Sequence, residues 1–253
     1  MIVEREDQSG IAILRMNRGK VNALDAELLQ ALVAALDDVE GSDAAAVVVT
    51  GAGTAFSAGV DLFRLLEGGP EHVREYLPLL DAVFGRLFSF PKPTVAAVNG
   101  HALAGGHLLM ACCDRRLMAR GPGKIGVPEL LVGIPFPPLA LEILRATLAP
   151  EVLQDLVYTG RTLGADEALA RGVVHELTEP GELLERALAR ARQLGDIPGP
   201  IFRLTKREIV APALERAERL QAELGEEVTG IWASPDSAAA IRAFLSRTVG
   251  RRG

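Results

Sequence analysis

Cysteine and aromatic side chains are scarce in this sequence. Of its 253 residues two are cysteine and one is tryptophan, and aromatic residues make up 4%. The two cysteines, Cys112 and Cys113, are neighbours, which excludes a disulfide framework and a zinc site built from thiolates. The N-terminal run 1–7 is acidic and has no apolar core like that of a secretory signal. We therefore expect a cytoplasmic protein.

An excess of positive charge is also lacking. Lys and Arg number 27 against 33 Asp and Glu, giving a net charge of −6. This balance argues against a protein that binds along the phosphate backbone of a nucleic acid. The most apolar stretch, residues 94–113, contains asparagine, histidine and several glycines, which are costly in lipid. We expect a buried strand, a turn and a helix there, and neither a membrane nor a nucleic acid as a partner.

Alternating strand and helix patterns predict an α/β fold. The predicted strands cover residues 2–6, 11–16, 45–50, 94–98, 115–119 and 173–177. Apolar residues recur at helical spacing after Asp25, and two helical stretches follow residue 60, the second over about 71–90. Beyond Pro135 most of the chain reads as helix. We expect a core over residues 1–195 and a helical appendage over 196–253 that packs on the core or on a neighbouring subunit.

Three segments contain residue types suited to chemistry. Residues 55–62 form a small-residue loop before a helix, and residues 98–107 repeat that arrangement with glycines at the helix start. Such loops let backbone N–H groups face a ligand, and one N–H from each could form an oxyanion hole. The third segment, 125–130, places Glu129 among apolar residues, where burial raises the pKa of a carboxyl into the range useful for proton transfer. Phosphate-binding loop and nucleophile-elbow motifs are absent.

Together these segments resemble the crotonase superfamily, the enoyl-CoA hydratase/isomerase family. The resemblance rests on residues 56–62 (FSAGVDL), 99–106 (NGHALAGG) and 126–129 (GVPE), with support from 21–24 and 159–161. It implies a spiral of ββα units with a C-terminal helical region, assembled as a homotrimer or homohexamer. It also implies a coenzyme A thioester as substrate, with no separate cofactor and no metal.

The resemblance assigns roles residue by residue. It makes the N–H groups of Ala58 and Gly105 the oxyanion hole for the thioester oxygen. The substrate-binding residues it implies are Ala58, Gly59, Val60, Asp61, Gly105 and Leu108. It implies that Glu129 is the catalytic acid and base.

The residue at position 108 decides which reaction the resemblance implies. Hydratases of the family use two glutamates; one matches Glu129, but the other position is Leu108, which cannot hold or deprotonate water. Moving a double bond needs only one carboxylate. The surroundings are similar to the mitochondrial-type 3,2-enoyl-CoA isomerase of fatty acid β-oxidation, which shifts a 3-enoyl-CoA double bond to 2-enoyl-CoA. The dienoyl-CoA isomerase branch has an aspartate where this chain has Pro137, so that branch is rejected.

Several alternatives remain open at this level. The chain could be an enoyl-CoA hydratase or another crotonase with a different acid/base set, or a non-catalytic acyl-CoA-binding homologue. A second carboxylate could reach the pocket from the helices around Glu67, Glu71 and Glu75. Structural roles are expected for His101, His107 and Asp61, the last as a helix cap. Four cations could meet coenzyme phosphates, although a solvated charge is the default reading for each: Lys20, Arg64, Lys92 and Lys206.

Overall fold

Two β-sheets organise the chain, which a computed structural model describes over residues 1–248. The strands are β1 (Val3–Gln8), β2 (Ile11–Met16), β3 (Ala46–Gly51), β4 (Ala55–Ser57), β5 (Thr94–Val98), β6 (His101–Leu103), β7 (Arg115–Ala119), β8 (Ile125–Gly126), β9 (Thr162–Leu163) and β10 (Glu176–Thr178). The helices are α1 (Ala26–Glu40), α2 (Leu62–Phe88), α3 (Gly105–Ala111), α4 (Glu129–Val132), α5 (Pro138–Thr147), α6 (Pro150–Thr159), α7 (Ala165–Ala170), α8 (Leu183–Gly195), α9 (Gly199–Trp232) and α10 (Pro235–Thr248).

The larger sheet has six strands in the order β1-β2-β3-β5-β7-β10. β1 and β2 form an antiparallel hairpin, and its turn uses Ser9 and Gly10 with positive φ angles, as predicted. The other neighbours are parallel. Every residue of β3 and β5 is buried, which explains their continuous apolar, β-branched sequences.

A ββα unit repeats three times along the chain. The units are β3-β4-α2, β5-β6-α3 and β7-β8-α4, each giving one strand to each sheet before its helix. In the four-stranded sheet, β4, β6 and β8 are parallel neighbours. The loops that leave these three strands therefore lie along one edge of the sheet. This arrangement confirms the predicted spiral of ββα units.

Two local predictions differ from the structure in instructive ways. Two helical stretches were expected after residue 60, and they are joined as α2 with a kink at Gly69 (φ 67°, ψ −163°), a conformation essentially confined to glycine. The strand predicted over 173–177 is wrong in its limits, because β10 begins at Glu176. The amides of Val173 and Val174 instead bond to the Ala168 carbonyl and terminate α7.

The two last helices fold back onto the core of their own chain. α9 packs along α5, and α10 contacts α4 and α2. The indole N–H of Trp232 donates to the Pro135 carbonyl at 2.8 Å, and the hydroxyl of Ser237 donates to the Gly133 carbonyl at 3.2 Å. Of the predicted appendage, residues 249–253 lie outside the described part of the chain. Within residues 1–248 no helix is both long and apolar enough to cross a bilayer.

Candidate active site

The three loops that leave β4, β6 and β8 line one apolar cavity of about 120 Å³. Backbone from the first two loops reaches it at Ala58, Val60, Ala104 and Gly105, and the third loop contributes Glu129. The rest of the wall is apolar and comes from five different helices and the segment after α4: Leu62, Leu80, Leu108, Val132, Ile134, Phe136, Pro137, Trp232 and Phe244. The three segments that the sequence singled out therefore meet at this cavity.

Gly59 allows the first two loops to touch. Its φ is +85°, and a Cβ atom there would lie 2.8 Å from the Cβ of Ala104 and 3.0 Å from the nitrogen of Gly105. Any side chain would force the loops apart. Gly59 is thus a spacer between the loops and does not itself line the cavity.

The hydrogen bonds of the first loop correct the predicted oxyanion hole. The Ala58 N–H donates to the Val21 carbonyl at 2.9 Å, so it is already occupied and cannot be the donor to a substrate. Leu24 pairs with Val60 in a short parallel bridge. In this bridge the Leu24 N–H donates to the Gly59 carbonyl, and the Asp61 N–H donates to the Leu24 carbonyl. The Val60 N–H lies between these bonds, and within residues 1–248 it has no acceptor. Because Val60 also lines the cavity, the available donor is two residues further along than predicted.

The second loop presents the N–H of Gly105. This residue begins α3, where the first amides of a helix have no intrahelical acceptor. The preceding residue, Ala104, has φ 50° and ψ −126°, a strained conformation that costs on the order of 1–3 kcal/mol for a non-glycine residue. Its own N–H donates to the Gly126 carbonyl at 2.8 Å. The strain therefore occurs at the turn that directs the Gly105 amide.

Glu129 is a buried carboxyl that has no charged partner among residues 1–248. It begins α4 and is 5% exposed, and its Oε2 atom has no hydrogen-bond partner within the described chain. Burial raises the pKa of Glu129 to about 8. No other ionisable side chain of residues 1–248 lines the cavity, so Glu67, Glu71 and Glu75 do not supply a second carboxylate.

Of two other residues predicted to bind substrate, one lines the cavity and one does not. Leu108 lines the cavity, as predicted for a substrate-binding residue. Asp61 does not: its carboxylate accepts from the N–H groups of Phe63 and Arg64 and caps α2. Its predicted place among the substrate-binding residues is therefore replaced by a structural one, because its carboxylate caps α2 and the residue is not part of the cavity lining.

The candidate phosphate-binding cations mostly have structural partners. Arg64 pairs with Glu27 at 2.6 Å, and Lys206 pairs with Asp114 at 2.9 Å while only 6% exposed. Lys92 donates to the carbonyls of Val39 and Ser42. Lys20 is exposed.

The two histidines near the second loop, His101 and His107, lie outside the cavity lining. His107 is fully buried, neither ring nitrogen has a partner within the described chain, and burial lowers its pKa to about 3. His101 accepts at Nδ1 from the Lys124 N–H at 3.2 Å. Neither lines the cavity.

Sequence reasoning missed Trp232 and Phe244, which close the cavity from the C-terminal helices. Trp232 is about a hundred residues from its partner Pro135, and no local pattern in the sequence reports such a contact.

The arrangement suits reactions that pass through an oxyanion. Val60 and Gly105 both line an apolar cavity and have N–H groups without an acceptor in the described chain, and two such amides that meet one oxygen can stabilise negative charge on it, since water does not compete for them there. A carboxyl with a pKa near neutrality can both accept and return a proton. A thioester carbonyl next to an acidic C–H bond is a substrate that uses both features.

Comparison with known proteins places the chain in a family. The model of the enoyl-CoA hydratase/isomerase family matches residues 6–247, and the chain belongs to that family. A putative enoyl-CoA hydratase of Thermus thermophilus is 37% identical over 236 residues, covering 89% of this chain and 90% of the relative.

Two solved structures illustrate the range of this similarity. A probable enoyl-CoA hydratase, EchA3, of Mycobacterium tuberculosis has a TM-score of 0.83 and 34% identity, over 89% of this chain and 97% of its own. Human mitochondrial Δ3-Δ2-enoyl-CoA isomerase has a TM-score of 0.92 and 27% identity, over the whole of both chains. The predicted family is therefore confirmed, and similar proteins have names from both reaction types.

Proposed function

We propose that this protein is a 3,2-enoyl-CoA isomerase that acts on a coenzyme A thioester. The observation that carries the proposal is the cavity lining: Glu129 is its single ionisable side chain within residues 1–248, and the lining includes Leu108, the position at which the family resemblance implies the second glutamate of a hydratase. The high structural similarity to the human mitochondrial isomerase supports it.

In the proposed reaction, one carboxylate moves one proton. Glu129 in its ionised form removes a proton from the α-carbon of a 3-enoyl thioester, and the electrons of that C–H bond delocalise onto the thioester oxygen. The N–H groups of Val60 and Gly105 stabilise this enolate. The protonated Glu129 then returns the proton to the γ-carbon, which leaves the double bond between the α- and β-carbons. No proton is gained or lost overall.

Hydration is the second candidate, because several relatives are named as hydratases. Addition of water requires a group that holds and deprotonates the water in addition to a proton donor for the α-carbon. The lining provides Glu129 for only one of these roles. A non-catalytic acyl-CoA-binding protein is the third candidate.

A direct assay separates the three candidates. The purified protein is supplied with 3-hexenoyl-CoA and, separately, with crotonyl-CoA, and each reaction is followed spectrophotometrically. We expect faster isomerisation of 3-hexenoyl-CoA than hydration of crotonyl-CoA. The reverse ranking would favour a hydratase, and tight thioester binding with no turnover of either substrate would favour a binding protein.

Restoring a carboxylate at position 108 tests the role of Leu108. We expect Leu108→Glu to raise the rate of crotonyl-CoA hydration by at least about 10-fold, since a general base contributes roughly 10²–10⁴-fold. Leu108→Gln is the matched control, with similar size and polarity but no base. Equal hydration rates in both variants would show that position 108 does not determine the reaction.

We also propose a cytoplasmic homotrimer or homohexamer. Exposed apolar side chains on α9 support self-association, namely Ile201, Leu204 and Ile209. The unpaired, buried thiols of Cys112 and Cys113 suit a reducing compartment. Light scattering after size-exclusion chromatography measures the mass, and a monomeric mass would contradict the assembly.

A further inference from the structure

Trp232 borders two cavities, the active-site cavity and a second one. The second cavity has a volume of about 280 Å³ and lies between the kink of α2 at Gly69 and the turn that joins α9 to α10. Trp232 is the residue that the two linings share.

The orientation of this wall is fixed. Trp232 is only 4% exposed, and its indole N–H donates to the Pro135 carbonyl at 2.8 Å. The neighbours of Pro135 in sequence, Ile134 and Phe136, line the active-site cavity. The hydrogen bond thus joins the C-terminal helices to the segment that lines the site, and it fixes the indole of the residue that borders both cavities.

The second cavity has the chemistry of an alkyl-binding space. Leu65, Leu66 and Val73 of α2 face Ile241 of α10 across it, and Arg242 is its one charged lining residue within residues 1–248. An alkyl chain gains free energy when it leaves water for such a surface. Nothing in the proposed mechanism uses this space, although it shares the lining residue Trp232 with the active-site cavity.

We propose that Trp232 sets the maximum acyl-chain length of the enzyme. A short acyl chain fills the active-site cavity and ends against the indole, and a longer chain needs the space that the indole closes off. The inference rests on the proposed function in that an acyl thioester occupies the site. Because one methylene in a hydrophobic pocket changes specificity by roughly 10- to 200-fold, removal of this wall has a large effect on chain-length ranking.

The test compares wild-type protein with Trp232→Ala and Trp232→Phe. The kcat/KM is measured for 3-hexenoyl-, 3-octenoyl-, 3-decenoyl- and 3-dodecenoyl-CoA, and the Kd of hexanoyl- and dodecanoyl-CoA is measured by calorimetry. We expect the wild type to prefer the hexenoyl substrate. Trp232→Ala should raise the dodecenoyl-to-hexenoyl ratio by at least about 10-fold. Trp232→Phe keeps an aromatic ring as the wall, so the hexenoyl substrate should still rank first.

A second substitution shows whether the gained space is the second cavity. Ala238 lines that cavity and not the first, so Ala238→Phe added to Trp232→Ala should refill it and reverse the gain for long chains. Trp232→Leu provides a milder opening that retains apolar packing if Trp232→Ala does not fold. The same shift, smaller in size, is expected for it.

The outcomes distinguish this inference from the proposed function. An equal loss for all chain lengths in the opened variant, in both kcat/KM and Kd, would overturn the role of Trp232. So would a gain for long chains that Ala238→Phe does not reverse. If the wild type binds acyl-CoA but isomerises none of the substrates, the proposed function fails, and the Kd values alone then decide the role of Trp232.

Discussion

Two buried glutamates of this protein have opposite surroundings. Glu142 of α5 is 1% exposed and accepts from Arg145 at 3.1 Å and from Arg216 at 2.5 Å. Glu129 of α4 is 5% exposed and has no arginine or lysine partner within residues 1–248, and burial raises its pKa to about 8. Similar burial of the same side chain thus accompanies an ion pair in one region and a carboxyl with a raised pKa in the other. The presence of a guanidinium partner, and not burial, makes the difference.

The largest effect expected from this comparison is on catalysis at Glu129. Glu129→Gln keeps the shape of the side chain but cannot accept a proton, so kcat for 3-enoyl-CoA isomerisation should fall by about 10²–10⁴-fold. Circular dichroism and thermal unfolding should show an intact fold. Full activity of this variant would exclude Glu129 as the acid and base.

The matched substitution at Glu142 should affect stability instead. Glu142→Gln leaves two guanidinium groups without a carboxylate, and breaking a fully buried ion pair costs about 3–5 kcal/mol. Arg145 and Arg216 are nearly half exposed, so we expect a smaller loss of about 2–3 kcal/mol in the free energy of unfolding. Urea titration measures it. An unchanged midpoint, or a selective loss of kcat in the folded protein, would contradict the structural role.

The raised pKa of Glu129 predicts a particular pH profile. Glu129 must be ionised to take the α-proton, and below a pKa of about 8 it is mostly protonated. We expect kcat/KM to rise about tenfold per pH unit below that value and to level off above it. The profile is measured between pH 6 and pH 9.5 in buffers of constant ionic strength. A rate that is constant across this range would show that Glu129 is already ionised at pH 6.

The smallest expected effect is on the pH dependence of stability, and it comes from a third carboxyl, Asp81 of α2. Its Oδ1 atom is buried without a partner in the described chain, and burial raises the pKa of Asp81 to about 6. The folded state then binds more protons than the unfolded state between about pH 4 and pH 6, so this group lowers stability as the pH rises through that window.

The matching experiment replaces the charge with an amide. Asp81→Asn should raise the free energy of unfolding by about 1–2 kcal/mol at pH 8 and by much less at pH 4, where the folded carboxyl is neutral and the unfolded one is only about half ionised. Urea titrations at the two pH values provide the measurement. A destabilised variant at pH 8 would mean that the carboxylate has a favourable partner.

Features that depend on neighbours in sequence could be predicted. Asp25 caps α1 by accepting from the Leu28 N–H, and Gly160 ends α6 in the left-handed conformation. Both follow from residue types at fixed offsets. The buried state of Glu129 was likewise anticipated from its apolar neighbours.

Features that depend on distant partners could not be predicted in the same way. The pairing of the first loop with Val21 and Leu24 determines which N–H group is left without an acceptor, that of Ala58 or that of Val60. A different register of this pairing would leave the other N–H group free. Trp232 lines the cavity because the C-terminal helices pack on the core of their own chain. The sequence did not decide between this packing and packing on a neighbouring subunit. The resemblance to a family pointed to the loops that line the cavity, and the hydrogen bonds of the structure showed that the Ala58 amide is occupied.

The repeated ββα unit has a consequence for how such enzymes diversify. Each repeat delivers its functional group at the same junction, where a strand of the small sheet gives way to a helix. The hydrogen bonds that hold the sheets together are made elsewhere, within the strands. A lineage can therefore exchange one reaction for another through replacements at these interchangeable junctions, while the scaffold is inherited unchanged.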